Sequence, residues 1–186
     1  MKKIIIATLA IIGIATAAVA QENTEVRVPS GYQGFLDQTS LYRVFDDMST
    51  TVGFSTTHGF YFNGHTFIGI GFALEGGDGF FAMPLYTSVK YNFSYTKTVS
   101  PTIQARVGSY ISDNSGAYAD LSFGLRFASK RDFAVNLMLA GSFYEGLKLT
   151  YHDNEGVVAV DEGRTTANRD NKANPISVGL RVGIEW

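Results

Sequence analysis

The 186-residue sequence contains no cysteine, and only 17% of its residues are charged. A chain of this size without cysteine must be stable without disulfides. Soluble domains usually carry about 25% charged residues, so the low content argues against an ordinary soluble surface. Basic residues number 15 against 17 acidic ones, so there is no basic footprint for nucleic acid. Helical periodicity, internal repeats and low-complexity tracts are absent. After the N-terminus, no apolar run is long enough for a helix to cross a bilayer, which takes ~20 residues.

The N-terminus has the form of a secretory signal. Lys2 and Lys3 precede an uncharged apolar run from Ile4 to about Ala18, and Ala18-Val19-Ala20 offers a small-x-small cleavage site. The run is shorter than a membrane-spanning helix needs. The expected organisation is a signal peptide over 1–20 and one domain over 21–186. No cysteine follows the apolar run, so lipid modification of a cysteine is excluded. Removing Lys2 and Lys3 leaves 13 basic against 17 acidic residues, a net charge of −4.

What the chain does have is glycine (20), phenylalanine (14) and tyrosine (10), spread through segments of about ten residues separated by turn-forming residues. Strands are expected near 31–42, 50–62, 65–75, 79–94, 102–111, 116–128, 132–145 and 175–186. Several of them alternate cleanly. Ile68, Ile70, Phe72 and Leu74 oppose Gly69, Gly71, Ala73 and Glu75. Leu121, Phe123, Leu125 and Phe127 oppose Asp120, Ser122, Gly124 and Arg126. The last segment sets Ile176, Val178, Leu180, Val182, Ile184 and Trp186 against Ser177, Gly179, Arg181, Gly183 and Glu185. From the third strand to the eighth, only Glu145 brings a charge to the apolar face, at the end of its strand.

A soluble sandwich also alternates. Here the polar face is rich in small residues, as a narrow lumen requires, and Tyr91, Phe93, Phe127, Phe133 and Trp186 sit near strand ends, as an interfacial girdle would. A soluble barrel with an apolar interior would show the inverse. The expected fold is therefore all-β: an eight-stranded antiparallel up-and-down transmembrane β-barrel. Short and long connections alternate in part, and the longest, about Lys148 to Asn174, falls opposite the termini. Pro84 lies inside a strand and predicts a bulge or local break, because proline cannot donate to a ladder. In the first strand Asp37, Gln38, Thr39 and Ser40 blur the alternation, so its inner and outer faces are unassigned.

The signal, the alternating segments and the terminal pattern resemble the small outer-membrane β-barrel proteins of the OmpA/OmpX kind. STTHGFYFN (55–63) and PLYTSVKYNF (84–93) look like the porin-like branch. The resemblance implies an integral protein of a bacterial outer membrane. It also implies that Val178, Leu180, Val182, Ile184 and Trp186 form the terminal signal read by the barrel-assembly machinery.

Candidate chemistry is sparse. Ser55 and His58 cannot share a face of a strand. Thr56 and His58 can, but no carboxylate stands nearby in the sequence, and His58 is expected to be structural. His65 falls in a turn and His152 in the long connection, which is no metal pattern. Asp153, Glu155, Asp161, Glu162 and Asp170, with Arg164, Arg169 and Lys172, make a polar connection without the spacing of a calcium loop. EGGDG (75–79) is a turn, since no helix follows to cradle phosphate. No catalytic, metal or cofactor-binding residue is expected.

The inward face is more informative. Glu75, Lys90, Arg106, Asp120, Arg126, Arg181 and Glu185 share it, with Asp37 a possible fourth acid. Such a balanced set can pair internally and fill the interior. Arg106 and Asp120 are expected to face each other on neighbouring strands and to form an ion pair. The expected role is therefore a structural or surface-interaction barrel with a filled lumen; the alternatives are a small pore or transporter and, third, a membrane-embedded lipid-modifying enzyme.

Overall fold

The computed structural model describes residues 29–43, 50–77, 80–94, 96–112, 115–129, 133–148, 172–173 and 175–186. The expected signal peptide, His152 and most of the long polar connection lie outside the described residues.

Among the described residues, ten strands follow in chain order: β1 (Gly31–Arg43), β2 (Thr50–Tyr61), β3 (Thr66–Gly77), β4 (Phe80–Asn92), β5 (Val99–Ile111), β6 (Ser115–Ala128), β7 (Ala134–Tyr144), β8 (Leu147–Lys148), β9 (Lys172–Ala173) and β10 (Ile176–Glu185). β1 to β7 and β10 close into one antiparallel up-and-down barrel. Closure leaves no sheet edge, so strand backbone groups find partners without water. β8 and β9 form a two-residue ladder at the base of the long connection, an element the alternation did not predict. Gly146, with φ 65°, turns the chain out of β7 toward it.

The outer wall is apolar. Ile70, Leu85, Val107, Leu121 and Phe123 are exposed, while their neighbours Gly71, Tyr86, Arg106, Asp120 and Ser122 are buried. Glu145 lies one residue beyond β7 and is exposed. The polarity is thus inverted relative to a soluble barrel, as a transmembrane barrel requires. Tyr32, Phe60, Phe62, Tyr91, Phe93 and Trp186 are exposed around the end where β1 begins, β10 ends and the short turns lie. Phe127 and Phe133 are half-buried at the same end.

Pro84 interrupts the ladder without a bulge. On the β5 side the pairing runs through Pro84↔Tyr110. On the β3 side it passes from Phe72↔Leu85 to Glu75↔Ala82 in unchanged register, without pairs at Ala73 and Leu74. One missing N–H therefore breaks two rungs, and the faces before and after it agree. β5 begins at Val99, earlier than expected, with Pro101 paired opposite Leu125. Small barrels also need close strand approach. A Cβ at Gly108 would overlap the Leu85 carbonyl oxygen of β4, so only glycine allows that corner.

Candidate functional site

The first strand, ambiguous in sequence, is placed by its neighbours. Phe35, Asp37, Thr39 and Leu41 are buried in the lumen, and Leu36 and Tyr42 are exposed outside. Asp37 thus joins the seven inward residues. Among the described residues, the buried charged side chains are Asp37, Glu75, Asp120 and Glu185 against Lys90, Arg106, Arg126 and Arg181. Their formal charges cancel.

They divide into levels along the barrel. At the end where β1 begins and β10 ends, Glu185 receives Arg126 through Nε at 3.0 Å and Nη2 at 2.9 Å, and Lys90 through Nζ at 2.9 Å. Lys90 also donates to Asn136 at 2.7 Å and lies 4.4 Å from the Phe35 ring centroid. Phe35, Tyr61 and Phe67 pack together beside this group. At mid-height, Arg181 grips Asp120 with two parallel hydrogen bonds of 2.9 and 2.8 Å, and also donates to Thr39 and Ser122. Such a fork is the strong form of a carboxylate pair. Arg106 pairs with Asp37 and donates to Ser55 at 3.1 Å.

Toward the loop end, Tyr86, Tyr110, Tyr118 and Tyr144 cluster with Ala73, Ala82 and Leu147. Tyr144 donates its hydroxyl to Glu75. Among the described residues, Glu75 is the one buried acid held by a tyrosine rather than a cation.

The expected Arg106–Asp120 ion pair does not form. The two residues are directly opposite in the β5–β6 register, as expected, but each takes another partner. Side chains on adjacent strands project side by side into the lumen. The long Arg106 therefore ends well past the short Asp120 and reaches β1 on the far wall. The ion pair with Asp120 is made by Arg181 instead.

Space for these groups comes from glycine. A Cβ at Gly183 would overlap the Asp37 carboxylate, and one at Gly53 would stand 2.7 Å from Glu75 Cγ. Both glycines are directly opposite the acid they accommodate. The lumen aromatics Phe35, Tyr61 and Phe67 were not singled out from the sequence. Tyr86, Tyr118 and Tyr144 do share parity with the charged face, which was the available signal.

His58 lies on the outer wall. Its Nδ1 is 2.7 Å from the Tyr32 hydroxyl and its Nε2 is 3.0 Å from Thr56 Oγ1; no carboxylate is among its partners. The Trp186 ring meets it edge-on, with centroids 6.2 Å apart. Between them runs Gly34, which exchanges backbone hydrogen bonds of 2.9 and 3.0 Å with Trp186. A Cβ at Gly34 would sit 2.8 Å from the indole ring. His65 lies in the turn after β2, bonded to the Asn92 carbonyl and stacked on Tyr91. Among the described residues, no three His, Asp or Glu side chains gather as metal ligands would.

Fold and lumen together define a class: an eight-stranded transmembrane β-barrel with a side-chain-filled interior. No family model and no curated protein matches the sequence. Among solved structures, Neisserial surface protein A (NspA) is similar over 86% of this chain and 98% of its own, with 11% identity and a TM-score of 0.60. That likeness shows a shared fold, in agreement with the resemblance to small outer-membrane barrels. The N-terminal β-barrel domain of Pseudomonas aeruginosa OprF covers 85% of this chain and 99% of its own at 14% identity, TM-score 0.46. A de novo designed transmembrane β-barrel covers 87% and 98% at 9% identity, TM-score 0.47.

Proposed function

We propose that this chain is a non-enzymatic integral protein of a bacterial outer membrane. In this reading the signal over residues 1–20 is cleaved on export. The barrel serves envelope structure and carries the long connection between β7 and β10 as its surface for interaction. Both termini then face the periplasm, because the short turns belong on that side and the longest connection outside. The barrel-assembly machinery is the partner of the last strand, and outer-membrane lipid the partner of the apolar wall. In that strand Val178, Leu180, Ile184 and Trp186 point outward and are exposed, and Val182 shares their parity but is covered.

The observation that carries the reading is the lumen. Ion pairs cross it at two levels, with one buried aromatic cluster beside the Glu185 level and another toward the loop end. A path for solutes would have to break several paired charges, each break leaving a costly lone ion. This favours the structural reading over a pore. The expected result is heat-modifiable migration in the outer-membrane fraction, and no channel activity above background in planar bilayers. Recovery as a soluble periplasmic protein would overturn the membrane assignment. Steady conductance would favour the pore or transporter.

A further inference from the structure

The outer wall departs most from its apolar pattern on β1 and β2. Gln38 and Ser40 on β1 share outward parity with the exposed Leu36 and Tyr42, and are partly exposed. Thr56 and His58 do the same on β2. Thr56 and His58 need no outside partner. The Thr56 hydroxyl donates to the Phe35 carbonyl at 3.1 Å, which leaves His58 Nε2 to donate to Thr56 and Nδ1 to accept from Tyr32. Gln38 is different. It stands one residue from the middle of the 13-residue β1, between Phe54 on β2 and Val182 on β10. Its amide hydrogen-bonds to no described residue, and it is the one amide on the outer wall of the described barrel strands. A hydroxyl can return its proton to a nearby backbone carbonyl, but an amide carries two donors and an acceptor. Hydrocarbon satisfies none of them, and the cost of leaving them bare is large.

We infer that Gln38 marks a homodimer interface, in which the β1 faces of two copies meet within the bilayer. An amide is self-complementary: it can donate to and accept from an identical amide. Two copies inserted in the same direction are related by a two-fold axis along the membrane normal. That axis keeps both Gln38 side chains at the same depth and lets them meet each other, as an isologous interface requires. Ser40 lies beside them on the same wall, and Leu36, Phe54 and Leu180 supply apolar contact around the pair.

The inference rests on the membrane reading above, and the test separates the two. The full chain is refolded in phospholipid vesicles with Ser40→Cys as its single cysteine, which keeps the amide, and treated with a short bis-maleimide. A second variant carries Val107→Cys on β5, across the barrel from β1. Ser40→Cys should give a cross-linked dimer and Val107→Cys should not. Adding Gln38→Leu to Ser40→Cys should weaken self-association about tenfold, the scale of polar contacts between membrane segments. Folded, heat-modifiable protein that cross-links equally at both positions or at neither, or that ignores Gln38→Leu, would overturn the dimer alone. A chain that does not fold into vesicles would take the membrane reading with it. In whole cells, a Ser40→Cys adduct with a different protein in place of the dimer would also overturn it.

Discussion

The two walls of the barrel are built from alternate residues of the same strands, yet they treat charge oppositely. Among the described residues, the inner wall buries four acids and four bases. The outer wall of the described barrel strands carries no Asp, Glu, Lys or Arg. Asp120, Leu121 and Ser122 put the contrast within three consecutive residues of β6. What differs is what each side chain can reach. Asp120 reaches a guanidinium and Ser122 reaches the same one, whereas Leu121 reaches only the membrane. A charge is tolerated where a partner of opposite sign stands at hydrogen-bond distance, and excluded where hydrocarbon offers nothing.

The largest effect expected from breaking this contrast is inside. Asp120→Ala leaves the fully buried Arg181 with only Thr39 and Ser122 as hydroxyl partners. Removing one partner of a buried pair costs about 3–5 kcal/mol. Arg181→Met added to Asp120→Ala should recover part of that loss in urea titrations in vesicles. A double variant less stable than the single one would show that Arg181 does not depend on Asp120.

One residue further on, Leu121→Arg places a cation near the middle of the outer wall, with an expected loss of about 2–4 kcal/mol at the bilayer midplane. The same titration measures it, and a negligible change would place Leu121 away from the membrane. The seam between β1 and β10 comes next. Deleting Trp186 removes two backbone hydrogen bonds to Gly34, each worth about 1 kcal/mol, and should lower the folded yield. Deleting residues within 153–170 should not; equal yields would refute a role for the terminal residue in assembly.

The smallest effect separates Glu75 from the other lumen acids. Among the described residues no cation hydrogen-bonds to it, and Gln still accepts from the Tyr144 hydroxyl, so Glu75→Gln should change stability by less than about 0.5 kcal/mol. Tyr144→Phe, which strips the carboxyl of its donor, should cost about 1–3 kcal/mol. If Glu75→Gln proves as costly as Asp120→Ala, the distinction between cation-held and tyrosine-held acids fails.

Much of this was legible in the chain. Period-two alternation is a local property, and a short turn fixes the register of the hairpin it closes. The positions of Arg106 and Asp120 opposite one another therefore follow from their own hairpin. Their partners do not. Arg106 finds Asp37 on the far wall and Asp120 finds Arg181 two strands away, and no local pattern encodes which residues face each other across a closed barrel. The first strand was unreadable for a related reason. With polar residues on both of its walls, Asp37 and Gln38 look alike in sequence.

By itself, the sequence determined the fold class, the number of barrel strands and, in the clean segments, which wall each residue lines. These follow from turn chemistry and from the two-residue period of a strand. The tertiary structure decided the rest: that Asp37 faces in and Gln38 out, that Gly183 and Gly53 make room for carboxylates, and which charges pair across the lumen. Those depend on distances between strands far apart in the chain, which exist only once β10 has closed on β1.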